Sequence, residues 1–193
     1  MIVRWLGEAC VEIESDLNIL IDPNYEVEPV NVPDLILVTH EHDDHFDENI
    51  IKKYPDTKIY GPQSFFEHFD VDGKIIQSGD RVKNDIDIFK CDCYNSIESV
   101  CYYYQGVYHT ADSADYPKPK SEVKVLFTAC FEDYYNEYLN LVKDIKPKIV
   151  VPYHFNSHSD KNVKEAMGLY KILREAGYNS RLLKPGDHIK IKK

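Results

Sequence analysis

Thr39-His40-Glu41-His42-Asp43-Asp44-His45 follows the apolar run Leu35-Ile36-Leu37-Val38 and precedes Phe46-Asp47-Glu48-Asn49. A short unbroken apolar run reads as a buried strand, and the acidic residues after the motif read as the opening of a helix. The motif therefore occupies a strand-to-helix loop. His40, His42, Asp44 and His45 supply imidazole and carboxylate groups, all donors that suit zinc or a similar divalent ion. A solvated loop explains one such histidine. It does not explain three at this spacing, which would crowd like groups together with no gain unless a cation held them.

Working outward, residues 2–6, 10–14 and 19–21 alternate and turn quickly as short strands, ending at Asp22-Pro23. Asp22 is there either a turn former or an outer carboxylate that orients a metal-bound histidine. Downstream, a strand leads into His109-Thr110-Ala111-Asp112, and another into Pro152-Tyr153-His154. Asp112 reads as a cap or a ligand, and His154 as a ligand at the carboxyl end of a buried strand, where such ends share a crevice. His158 lies in a polar loop that needs no metal, and His68 lies in a short helix without a neighbouring ligand. His158 is therefore read as at most a rim residue, behind His154, and His68 as a surface or boundary residue.

Helices are expected over 47–54, 64–69 and 132–145, and from a cap at Asp160 to Gly177, with a last strand over 188–191. The loop 113–122, with Pro117-Lys118-Pro119-Lys120, is expected to be extended and mobile beside the site. With 24–31 and 155–160, it is expected to shape specificity.

One domain is expected over residues 1–193, since the chain is long enough for one sizeable core and no linker-like stretch divides it. Its 33 acidic against 23 basic residues give a formal charge of −10, which argues against a nucleic-acid partner and leaves a small-molecule substrate. The basic cluster Lys190-Ile191-Lys192-Lys193 reads as a solubilising tail. No signal peptide or membrane-spanning run is read, and five cysteines, an odd number, fit a reducing, cytoplasmic setting. Oligomeric state is not encoded in any pattern found.

The complete Thr-His-x-His-x-Asp-His pattern at Thr39, His40, His42, Asp44 and His45 resembles the metallo-β-lactamase superfamily. The strand ends at Asp22, Asp112 and His154 follow in that family's order, most like its small lactonase-type or predicted-hydrolase branch. The resemblance implies an α/β fold, a four-layer αββα sandwich, with metal between the sheet edges. It places His40 and His42 on one ion and Asp44, His45 and His154 on a second, with Asp112 bridging.

The family supplies a further histidine that this chain lacks, since residues 81–108 contain none. By register the substitute falls near Cys91-Asp92-Cys93-Tyr94-Asn95. Cys93 is the first choice and Cys91 the second, because alternate strand residues face the same way and thiolate binds zinc well.

The implied activity is hydrolysis by a metal-activated water of a small lactone, ester or phosphoester. One or two zinc ions are implied, with manganese or iron as alternatives, and Asp44 or Asp112 accepts the proton. His109 is either an outer partner or proton shuttle, or a structural hydrogen-bonding residue. Most of the tyrosines read as sheet packing, with one or two left to steady a developing oxyanion. The competing reading is a metal-binding protein with a degenerate, non-catalytic site.

Overall fold

Apolar runs this short leave water only by pairing into sheets and stacking against helices. A computed structural model of the protein describes residues 1–83 and 85–192, so Lys193 of the basic tail lies outside the described residues. In chain order the strands are Ile2–Gly7 (β1), Cys10–Glu14 (β2), Asn18–Ile21 (β3), Leu35–Leu37 (β4), Lys58–Gly61 (β5), Lys74–Ile75 (β6), Arg81–Val82 (β7), Ile86–Cys91 (β8), Ser99–Tyr104 (β9), Val107–His109 (β10), Val125–Thr128 (β11), Ile149–Pro152 (β12) and His188–Lys190 (β13). The helices are Asn49–Lys53 (α1), Gln63–Phe69 (α2), Tyr135–Ile145 (α3) and Asp160–Glu175 (α4).

Among the described residues these strands form two sheets, in the orders β13-β1-β2-β3-β4-β5-β6 and β12-β11-β10-β9-β8-β7. Each sheet joins an antiparallel part to a parallel part. The antiparallel hairpins β1-β2-β3 meet the parallel strands β4-β5-β6 in the first sheet. In the second, β7-β8-β9-β10 is antiparallel, and β10, β11 and β12 are parallel.

The sheets stack on a shared core in which Trp5, Ile13, Leu37, Tyr102 and Phe127 are buried together. A smaller cluster with Leu20, Ile36, Phe46, Ile50 and Phe65 carries α1 and α2, and Tyr138, Val142, Leu169 and Leu173 seat α3 and α4 on the main core. Helix, sheet, sheet, helix is the αββα order expected from the sequence.

Several expected boundaries shift. The first helix contracts from 47–54 to Asn49–Lys53, and the turn before α3 is a 3-10 helix, Glu132–Tyr134. Asp160 is not the cap of α4: Ser159 is, its hydroxyl accepting from the Asn162 N–H at 3.4 Å. Both residue types cap well, and only the extended backbone of Ser159 decides between them.

Candidate metal centre

The parallel halves put the carboxyl ends of β3, β4, β10 and β12 along one edge of the sandwich. Asp22 follows β3 directly, the motif follows β4, and Asp112 and His154 follow β10 and β12 within a few residues. Asp22, Ala111 and His154 all have positive φ, of 47°, 51° and 58°. L-residues adopt that conformation at a cost, and here it turns each chain sharply out of its strand toward a common point. The motif loop is pinned from across the sandwich, where Tyr102 Oη donates to the Val38 carbonyl at 2.6 Å and Val100 N–H donates to the Thr39 carbonyl at 3.0 Å.

Two ligand groups result. His40, His42, Cys93 and Asp112 form one, and Asp44, His45, Asp112 and His154 the other, with the donor atoms of each group within 4.8 Å of one another. Asp112 belongs to both. Its Oδ1 lies 3.0 Å from His45 Nε2 and 3.1 Å from His154 Nε2, and its Oδ2 lies 3.6 Å from His40 Nε2 and 3.8 Å from Cys93 Sγ. Asp44 Oδ2 approaches His154 Nε2 at 3.4 Å, and His42 Nδ1 approaches His40 Nε2 at 3.1 Å.

The arrangement calls for a cation. His45 Nδ1 lies 2.8 Å from Asp22 Oδ2, so a neutral His45 donates there and turns the Nε2 lone pair toward Asp112 Oδ1. That oxygen is buried and has no hydrogen-bond partner. A proton or a metal ion must separate the two acceptors. Without an ion the site draws protons in: burial opposes a charge on His45, but Asp112 and Asp22 at its two ends raise its pKa well above the ordinary value. Burial likewise resists the charge of Asp112, but His154 and His45 hold its pKa far below the usual carboxylate range. Asp44 is ionised too, its pKa lowered to about 2, because the His154 hydrogen bond outweighs its burial. Histidine nitrogen, carboxylate oxygen and one sulfur form a donor set that fits zinc.

Of the two cysteines anticipated, the chain brings Cys93 to the cluster, with Sγ 3.4 Å from His40 Nε2. Cys91 is turned into the core, where its sulfur meets Ser99 Oγ at 3.3 Å. Strand parity fails as a guide because β8 ends at Cys91, and the chain beyond leaves the sheet. Glu41, the variable residue between the first two histidines, holds that departing loop. Its buried carboxylate accepts from Ile97 N–H, Ser96 Oγ and Ser64 Oγ, which ties the loop carrying Cys93 to the motif itself.

His109 is fully buried, with Nε2 donating to the Ala9 carbonyl at 2.9 Å, and burial lowers its pKa. Its closest carboxylate oxygen is Asp22 Oδ2, 3.8 Å away, so it braces the outer support and does not face the open cleft. His158 is exposed beside Glu26, and His68 pairs with Asp43 at 3.0 Å.

The candidate ligand cluster opens into a cleft of about 630 Å³, whose other walls are Asp92, Tyr94, Ala114, Asp115, Phe131, Tyr134 and Glu137. Of the three loops expected to shape specificity, only 113–122 reaches it, through Ala114 and Asp115; residues 24–31 and 155–160 do not line it. The loop 113–122 is also anchored rather than free, with Tyr116 and Pro119 buried and Tyr116 Oη 3.1 Å from Thr128 Oγ1. The loop after β8 and the turn before α3, which carry no local signature of a binding wall, do most of the enclosing. The hydroxyls of Tyr102, Tyr108 and Tyr153 are already donated to backbone carbonyls. Tyr94 and Tyr134 are the ones that line the open cleft.

Comparison with known proteins agrees with this geometry. The family model described as the beta-lactamase superfamily domain matches residues 2–154. A UPF0173 protein of Pyrococcus furiosus is 30% identical over 86% of this chain and 88% of its own length. A UPF0173 metal-dependent hydrolase of Nanoarchaeum equitans is 27% identical over 81% and 85%. Among solved structures, the metallo hydrolase Igni18 of Ignicoccus hospitalis superposes with a TM-score of 0.73 at 18% identity, covering 99% of both chains. A mutant of the CmlA beta-hydroxylase superposes at 0.70 with 13% identity, covering 98% of this chain and 54% of that one. These two likenesses show the shared fold.

Proposed function

The chain belongs to the metallo-β-lactamase superfamily, in its UPF0173-like branch, and on that premise we propose that it is a zinc-dependent hydrolase of a small molecule. The observation that carries this reading is Asp112, set between two ligand groups with one oxygen toward each and its buried Oδ1 without a hydrogen-bond partner. Ions held there would supply a water of lowered pKa and polarise a substrate oxygen. Asp44, with a lowered pKa and half exposed at the edge of the cleft, would take the proton as the water oxygen bonds to the substrate carbonyl carbon. The bond to the leaving group would then break, and Asp44 would return that proton to the departing oxygen. His40, His42, Cys93 and Asp112 hold one ion in this reading, and Asp44, His45, His154 and Asp112 the other.

Cys93 bears on the competing, non-catalytic reading, because a thiol stands among the ligands of the first group where a histidine was missed. It also favours zinc over manganese or iron, since sulfur is a soft ligand. In the ion-free chain burial and Asp112 push the Cys93 thiol up, a trend that a divalent ion reverses. Cys93→Ser is therefore expected to lose zinc from the first position, while Cys93→His retains it. Cobalt substitution checks this directly: the near-ultraviolet thiolate-to-cobalt absorption present in the wild type should vanish in both variants, with metal content falling only in the serine one.

The overall reading is tested by measuring zinc content and turnover on lactone, ester, thioester and phosphodiester panels, with and without chelator. Hydrolysis that stops on chelation and returns with zinc is expected. Zinc at about a thousand times its dissociation constant stabilises the fold by about 4 kcal/mol, on the order of 10 °C in Tm for a chain this size. Tightly bound zinc with no turnover on any panel would establish the non-catalytic reading instead. Among the described residues of this chain, no helix is long and apolar enough to cross a membrane.

A further inference from the structure

The cleft over the metal cluster is acidic and aromatic. Asp92, Asp115 and Glu137 project into it from the loop after β8, the segment after Asp112 and the first turn of α3. Among the described residues no Lys or Arg lines the cleft, and none pairs with these three carboxylates. Tyr94 is 82% exposed and Tyr134 43% exposed, large rings left in water at the cleft mouth. At the floor, the unpartnered Asp112 Oδ1 marks the same cleft as a place that takes a ligand.

The charge balance decides which substrates this favours. Asp44, Asp112 and the Cys93 thiolate offset most of the charge of two divalent ions, so the outer carboxylates stay uncompensated. An anionic substrate, a phosphoester included, would meet them with no basic residue in reach, inside a chain of formal charge −10. A cationic group meets three carboxylates and two exposed tyrosine rings in the same cleft, the combination that holds ammonium ions. We propose that the substrate carries an amine or quaternary ammonium group on an apolar frame, seated between Asp92, Asp115 and Glu137 against Tyr94 and Tyr134, with its hydrolysable bond at Asp44 and Asp112. This rests on the hydrolase reading above and names the substrate class for that same site.

Calorimetric titration of the zinc-loaded protein with benzyltrimethylammonium, benzyl alcohol and benzylsulfonate tests the recognition without turnover. The ammonium probe is expected to bind on the order of tenfold more tightly than the alcohol, and the sulfonate more weakly than either. That preference should shrink as salt rises and vanish in the Asp92→Asn/Asp115→Asn/Glu137→Gln variant, whose zinc content and Tm serve as the folding check. In parallel, phenyl acetates bearing para trimethylammoniomethyl, neopentyl or sulfonatomethyl groups are assayed with zinc.

Equal or tighter binding of the sulfonate, or a preference untouched in the triple variant, overturns the inference even if all three esters are hydrolysed. Retained ammonium preference with no zinc-dependent turnover of any ester or panel substrate supports the recognition site and counts against the hydrolase reading alone.

Discussion

Asp112→Asn is expected to abolish most activity, lowering kcat/KM by about a thousandfold or more, and to weaken zinc binding at both positions. The carboxylate presents Oδ1 to His45 and His154 at 3.0 and 3.1 Å and Oδ2 to His40 at 3.6 Å. Asparagine keeps the volume but leaves one oxygen, so an NH2 group faces one ligand group or the other, where it repels a cation. The negative charge common to the two ligand groups is lost as well. Melting separates the effect from misfolding: the chelated variant should melt close to the chelated wild type, while the rise in Tm on adding zinc should largely disappear. Asp43→Asn is the matched control, because Asp43 sits in the same motif yet is exposed and paired only with His68. An Asp112→Asn protein with wild-type zinc content and turnover would show that the two ligand groups do not share this residue.

How much of that site is legible in the sequence depends on whether its parts are local. The motif is legible because its candidate ligands lie within a few residues of one another on one loop, and the chain brings them into the two ligand groups. Asp112 and His154 are legible at one remove, since each follows a short apolar run, and parallel strand ends meet at one edge of the sheet. Cys93 needs the end of β8, and that end is set by Ser99 pairing with Cys91 and by Glu41 drawing residues 96 and 97 away. The Glu41 contacts span 55 and 56 residues and leave no periodic trace. The walls formed by Asp92, Tyr94, Tyr134 and Glu137 are illegible for the same reason, because the loop after β8 and the start of α3 converge only when the sheets stack. Glu41 looks like a filler between two histidines; a glutamate next to an apolar strand end, where a solvated side chain would serve, is the only hint that it has buried partners.

Asp22→Ala is expected to be the most destabilising of these changes, by about 3–5 kcal/mol, or on the order of 10 °C in Tm. Asp22 is fully buried, and its carboxylate accepts from Thr39 N–H at 2.7 Å, Thr39 Oγ1 at 2.8 Å and His45 Nδ1 at 2.8 Å. Alanine strands those donors in the interior, which costs more than the bonds themselves contribute. It also leaves the strained φ of 47° on a residue that tolerates it less well than aspartate or asparagine. Asp22→Asn separates the two causes: it keeps the backbone preference, but puts an amide where two oxygens had accepted.

With His45 no longer held in the tautomer that turns Nε2 to the ion, zinc affinity should fall about 10- to 100-fold in either variant. Burial opposes the Asp22 charge, but His45 outweighs it and leaves the pKa below the ordinary value. A carboxylate so shifted contributes stability above its unfolded pKa, about 3.9, and loses it as pH falls through the folded value. The stability gap between wild type and Asp22→Asn should therefore be full at neutral pH and narrow on acidification below about pH 4. Denaturant melts across that range check it, and a gap that stays constant with pH would mean that shape, not charge, is what Asp22 supplies.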